Sequence, residues 1–200
     1  MKIGIFGGSF NPPHKMHEEI ANELLKEQLV DTIIFVPTGM KYEYKNNLID
    51  NKYRLDMLNI IASHNKNFQV SDFECKEEVV YTHQTLDYYH KLYPQDELFF
   101  ICGTDNLSYI DKWKKGEYLL ENYNYIIIGR DTNQLEPLLE KYKKYKDHFI
   151  ISNISPKSIS STMIREKIRK NEDCSNYIRE DVLEYIKKNH LYLEEKDYGI

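Results

Sequence analysis

The chain has 200 residues, 41% of them hydrophobic, and a formal net charge of −5. That is enough for one substantial core, and too little basic charge for a sequence-independent nucleic-acid binder, which carries an excess of Lys and Arg. No run is long or apolar enough to span a membrane, and no charged, apolar, small-residue leader opens the chain, so neither a membrane protein nor a secretory signal is expected.

The cysteines, Cys75, Cys102 and Cys174, are odd in number and widely spaced, without a CxxC pair. They argue against a disulfide framework and a structural zinc site and fit a reducing cytoplasm. In chain order the pattern alternates between strand and helix. Residues 2–6 read as a buried strand closed by a Gly7-Gly8 turn, and apolar spacing at Ile20, Ala21, Leu24 and Leu25 predicts the first helix, with Glu18 and Glu19 in its first turn. Residues 32–36 form a β-branched strand ended by Pro37 and Gly39. A polar loop is expected over 41–51, a helix over 52–63, a third strand over 68–73 and a helix over 85–92. Residues 98–102, 125–128 and 149–151 read as strands four to six, followed by helices near 161–169 and 179–188.

This alternation predicts an α/β fold of the Rossmann-like, doubly wound kind: a mostly parallel sheet with helices on both faces and a short C-terminal helical region. One domain is expected over 1–193, with 194–200 as a frayed tail. Ligands of such sheets bind beyond the carboxyl ends of the strands. That directs attention to the segments 7–14, 37–45, 103–106 and 129–130.

The first of these segments carries the chemistry. Gly7 and Gly8 are expected to permit a tight turn and let backbone amides approach a ligand. Pro12 and Pro13 stiffen the entry to the helix. His14 and His17, three residues apart at a helix start, can donate hydrogen bonds to phosphate oxygens as charge develops. The pattern matches neither GxGxxG nor the P-loop. Two histidines at this spacing can also bind a metal, but no third ligand is evident. Near the other end, Ser160, Ser161 and Thr162 are good N-cap residues, and Arg165 lies a turn inside the helix they open. A cation there opposes the helix macrodipole unless an anion is bound beside it; the segment would make a pyrophosphate clamp, but taken alone it reads as an ordinary capped helix with a solvated arginine.

At these residues the chain resembles the HxGH class of nucleotidyltransferases, whose opening is a strand, Gly-Gly-Ser/Thr-Phe-Asp/Asn-Pro, then His/Thr-x-Gly-His. Its second motif, Ile-Ser-Ser-Thr-x-Ile-Arg, is matched by residues 159–165. Histidine rather than threonine at position 14 leans toward the dinucleotide-forming adenylyltransferases. Met16 stands where the class has glycine, and a side chain there is expected to crowd the nucleotide or shift the helix entrance.

In the middle of the chain, Gly103-Thr104-Asp105 with Trp113, and residues 80–86 with Tyr81, Thr82 and Thr85, are similar to segments of the nicotinate-nucleotide adenylyltransferases. Gln84 there replaces the usual Asp. The Pro-His-Lys of that family survives only as Tyr44-Lys45. The resemblance covers 1–193. It implies transfer of AMP from ATP to nicotinate mononucleotide with Mg²⁺, giving deamido-NAD and pyrophosphate.

The roles implied are catalytic for His14, His17 and Arg165. ATP binding falls to Gly7, Gly8, Ser9, Phe10, Gly103, Asp105, Arg130, Ser160, Ser161 and Thr162. Lys45, Tyr81, Thr82, Thr85 and Trp113 are the implied mononucleotide contacts, with Trp113 stacking on the pyridine ring. No protein-held metal site, nucleic acid or membrane is expected. An oligomer is compatible with the sequence, though no segment marks an interface. Three alternatives stay open on the sequence: pantetheine-phosphate as acceptor, nicotinamide mononucleotide as acceptor, and a non-catalytic nucleotide-binding sensor.

Overall fold

Among the described residues, six stretches pair into one sheet, and the central ones, such as 33–36 and 98–102, are hydrophobic on both faces, as parallel strands covered on two sides must be. The computed structural model describes residues 1–40, 48–76, 78–129, 132–155 and 157–194. The strands are β1 (Lys2–Gly8), β2 (Thr32–Pro37), β3 (Phe68–Val70), β4 (Glu97–Gly103), β5 (Asn124–Ile128) and β6 (Phe149–Ser152). All pairings are parallel, in the order β3-β2-β1-β4-β5-β6. The order reverses between β1 and β4, which puts the topological switch point at the carboxyl ends of those two strands.

The helices are α1 (Lys15–Lys26), α2 (Asn51–Ala62), α3 (Thr82–Leu92), α4 (Thr104–Tyr109), α5 (Gly116–Asn122), α6 (Thr132–Lys141), α7 (Ser161–Arg169) and α8 (Glu180–Lys188). Two cores flank the sheet, and the period-2 alternation of the strands sorts residues between them. Phe6, Phe35, Phe99, Ile101, Ile126 and Ile128 face one side, packed with Ile20 and Leu24 of α1, Met57 and Leu58 of α2, Ile164 of α7 and Val182 of α8. Ile3, Ile5, Val36, Phe100, Cys102 and Tyr125 face the other, against Leu86 of α3, Leu107 of α4 and Leu119 of α5. Among the described residues no helix is long and apolar enough to cross a membrane.

Three expectations need correction. The third strand stops at Val70 rather than Phe73, because the Ser71 hydroxyl accepts the Phe73 N–H at 3.1 Å and folds the chain into a turn. The helix expected from 85 begins at Thr82, where the Gln84 side chain accepts the Tyr81 N–H at 2.9 Å. Gly7 and Gly8 do not form a turn. They are the last residues of β1, and no described glycine has positive φ. Of the loop expected over 41–51, residues 41–47 lie outside the described residues, as do 195–200 of the tail.

Candidate active site

Beyond Gly8 the chain reverses through residues 9–13 into α1, and the left-handed residue of that turn is Phe10, with φ of 45°. An L side chain in that region costs about 1–2 kcal/mol. The cost is offset by burial: Phe10 packs edge-on against Phe6, Phe35 and His17, with ring centroids 5.8, 5.7 and 4.9 Å away. Gly8 is needed here for space, since a Cβ would lie 3.0 Å from the Phe10 ring. The Asn11–Pro12 peptide is cis.

His14 caps α1 and His17 lies in its first turn. Their rings stack at 3.7 Å between centroids and 27° between planes, so the two expected histidines do share one side of the helix entrance. The His14 backbone N–H donates to His17 Nδ1 at 3.2 Å. In the neutral ring that bond leaves the hydrogen on Nε2, the donor a phosphate oxygen requires. Phe10 and Phe6 fix the orientation of the ring from the other side.

The second motif docks onto this turn from about 150 residues away in sequence. Ser160 caps α7 by accepting the Met163 N–H at 3.2 Å. Ser161 Oγ donates to the Pro12 carbonyl at 2.8 Å, and Arg165 Nη1 to the Asn11 carbonyl at 2.8 Å. Arg165 Nη2 reaches Thr162 Oγ1 at 3.2 Å, which fixes the plane of the fork. Burial lowers the Arg165 pKa from its ordinary value, a shift that still leaves a guanidinium cationic at neutral pH. Thus Ser161 and Arg165, with Ser160 and Thr162 beside them, are tied to Pro12 and Asn11, in the turn that runs from Ser9 and Phe10 to His14 and His17.

The sequence reading missed what lies beneath. Arg54 of α2 is fully buried and donates to the Ser9 carbonyl at 2.8 Å and the Ile49 carbonyl at 3.2 Å, and also to Asn51 Oδ1. Asn11 Oδ1 accepts the Tyr192 hydroxyl at 3.0 Å and the Ile49 N–H at 3.4 Å. Nothing in the sequence around Tyr192 signals this contact. Its distance along the chain from Asn11 hides the contact.

Across the switch point, Gly103 ends β4 and Asp105 folds back over it, its Oδ1 2.4 Å from where a Gly103 Cβ would sit. Trp113 is half-buried, edge-on to Phe100 at 6.2 Å. Lys114 Nζ lies 4.2 Å from the Tyr81 ring centroid, which brings the Trp-Lys-Lys segment to the start of α3. Thr82 opens α3, half-buried, and Thr85 is buried with its hydroxyl donating to Glu74 Oε1 at 2.6 Å. Lys45 and Arg130 lie outside the described residues.

His83, in the same turn as Tyr81, is buried. Burial first, then the charge of Lys115, pulls its pKa below the usual 6.5, with Lys114 adding to the shift and Asp87 opposing it. The folded state therefore favours the neutral ring, while the unfolded chain binds the proton more readily. Stability is retained above 6.5 and lost as pH falls below it. The melting temperature is expected to fall between about pH 7 and pH 5, and to fall less in His83→Gln. Equal falls in the two proteins would contradict this.

Among the described residues, no group of three or more His, Cys, Asp or Glu side chains is placed to hold a metal ion. Cys75, Cys102 and Cys174 are free thiols.

Comparison with known proteins gives the same reading as this geometry. The cytidylyltransferase-like family model matches residues 5–167. A probable nicotinate-nucleotide adenylyltransferase of Clostridium acetobutylicum is 33% identical over 198 residues, covering 96% of this chain and 99% of the relative. The nicotinate-nucleotide adenylyltransferase of Bacillus subtilis is 34% identical over 196 residues, covering 96% and 98%. The Plasmodium falciparum nicotinic acid mononucleotide adenylyltransferase complexed with NaAD superposes with a TM-score of 0.81 at 26% identity, covering 96% of this chain and 97% of that one. The two motifs, their convergence at the switch point and these full-length relatives identify the chain as a member of the nicotinate-nucleotide adenylyltransferase family.

Proposed function

We propose that the chain transfers AMP from ATP to nicotinate mononucleotide, giving deamido-NAD and pyrophosphate. One observation supports this most strongly: Ser161 and Arg165 bond to the carbonyls of Pro12 and Asn11, the residues that lead directly into the histidine pair. Because that site needs both ends of the chain, residues 1–193 act as a single nucleotidyltransferase domain. Free thiols fit the reducing cytoplasm as its compartment.

In this reading the 5′-phosphate oxygen of the mononucleotide attacks the α-phosphorus in line. A new oxygen–phosphorus bond forms, and the bond from the α-phosphorus to the bridging oxygen breaks as pyrophosphate departs. No residue is modified, so the protein works by position and charge. His17 Nε2 and His14 donate to the triphosphate as negative charge grows. Arg165, the α7 N-terminus, and Ser160, Ser161 and Thr162 hold its β,γ end.

Gly7 and Gly8 at the end of β1, and Ser9 and Phe10 in the turn that follows, are assigned to ATP, as are Gly103 and Asp105 across the switch point, with Arg130 assigned to the adenosine side. Trp113, Tyr81, Thr82, Thr85 and Lys45 are assigned to the mononucleotide, Trp113 offering a flat face for the pyridine ring. Mg²⁺ brought in with ATP would supply charge neutralisation for the departing pyrophosphate.

The test is pyrophosphate release from ATP and Mg²⁺ with nicotinate mononucleotide, nicotinamide mononucleotide and phosphopantetheine in parallel. Release is expected with nicotinate mononucleotide. Release with phosphopantetheine alone, or none with all three, would overturn the reading.

A further inference from the structure

Met16 sits between the two histidines on the first turn of α1, yet it is only 3% exposed. Its side chain belongs to the core cluster that also holds Ile159 and Ile164, the residues that flank the start of α7. Its Sδ accepts the backbone N–H of Lys157 at 3.0 Å. The same lysine reaches back with its side chain, Nζ lying 3.0 Å from Glu19 Oε2, one turn further along α1. The approach to the clamp is thus tied to α1 through one residue, by its backbone and by its ammonium group.

The two ties differ in strength. The Lys157–Glu19 pair is exposed, the lysine side chain by 69%, and ion pairs of that kind contribute little and weaken with salt. The Met16 side chain is buried, and its contact with the exposed Lys157 is half-buried. A thioether is a weak acceptor, but Met16 also fills core volume and gives a half-buried backbone donor a protein partner. It therefore sets where the chain stands three residues before the Ser160 cap. That cap in turn fixes Ser161 on Pro12 and Arg165 on Asn11.

We propose that Met16 is a positioning residue for the triphosphate: its buried side chain holds the segment before α7 at the height where the clamp and the histidine pair can grip one ligand together. The inference rests on the assignment of this site to ATP. It predicts an effect on ATP affinity and none on the mononucleotide, whose assigned contacts lie across the switch point.

The direct probe is Met16→Leu, which keeps the apolar volume and removes the sulfur acceptor, with Met16→Ala as the larger perturbation. ATP with Mg²⁺ is titrated calorimetrically without any acceptor, so the result does not depend on which acceptor the enzyme uses. The Kd for ATP is expected to rise about threefold in Met16→Leu, the scale of one weak hydrogen bond. In Met16→Ala it is expected to rise about tenfold. In turnover assays KM for ATP rises while KM for nicotinate mononucleotide and kcat stay within about twofold of the parent. Amide exchange at Lys157 quickens in the Leu variant, a local readout that a general loss of stability would not confine to that segment. An ATP Kd in Met16→Leu equal to that of the parent overturns the inference. If the parent binds ATP but releases no pyrophosphate with any acceptor, the functional reading fails while the Met16 result still decides this one.

Discussion

His17→Ala is expected to lower kcat about 10²-fold or more, the loss that follows removal of one preorganised donor aimed at developing charge. The reasoning runs through the tautomer. The His14 N–H bonded to Nδ1 keeps the hydrogen on Nε2, and the Phe10 and Phe6 rings stop the imidazole from rotating away. A donor held in that way needs no reorganisation when negative charge builds on the triphosphate. The alanine variant keeps the clamp at Arg165 and so is expected to bind ATP within a few-fold of the parent, which distinguishes a catalytic loss from misfolding. Steady-state kinetics with an ATP titration alongside would check both parts. A near-parental kcat would remove His17 from the mechanism.

Arg165→Ala is expected to lower kcat/KM for ATP about 10²-fold as well, but with a different signature. Arg165 uses one terminal nitrogen on the Asn11 carbonyl and the other on Thr162, so its fork is planar and fixed before any ligand arrives. Its cation stands near the N-terminus of α7, where it opposes the macrodipole until an anion binds, so its contribution appears as ATP affinity. Arg165→Lys is expected to recover charge but not the two-pronged geometry, and to remain about tenfold below the parent. Full recovery by lysine would show that a point charge suffices and that the fork has no role.

The sheet was legible because parallel strands, apolar on both faces, stand out as continuous runs such as 33–36 and 98–102. The histidine pair and the Ser-Ser-Thr cap were legible because their spacing has a direct physical reading at a helix start. Short elements were not. Helices α4 and α5, of six and seven residues, are too brief for a 3.6-residue period to emerge, and α6 carries Pro137 in its interior.

The turn after β1 was misread for a related reason. Gly7-Gly8 looks like the punctuation, but the left-handed position falls on Phe10, where tertiary packing overrides local preference. From the sequence, Met16 is expected to crowd the nucleotide or shift the helix entrance. Its sulfur instead meets Lys157, a partner 141 positions away that no local pattern reveals. The same holds for Asn11 and Tyr192, 181 positions apart.

The account stands most directly on the fate of the α-phosphate. ATP labelled at the α-phosphorus, incubated with Mg²⁺ and nicotinate mononucleotide, is predicted to deliver its label to deamido-NAD in step with pyrophosphate release, with none retained on the protein. Label left in ATP while the nucleotide binds, or label found covalently on the chain, would contradict an in-line transfer performed by His14, His17 and Arg165.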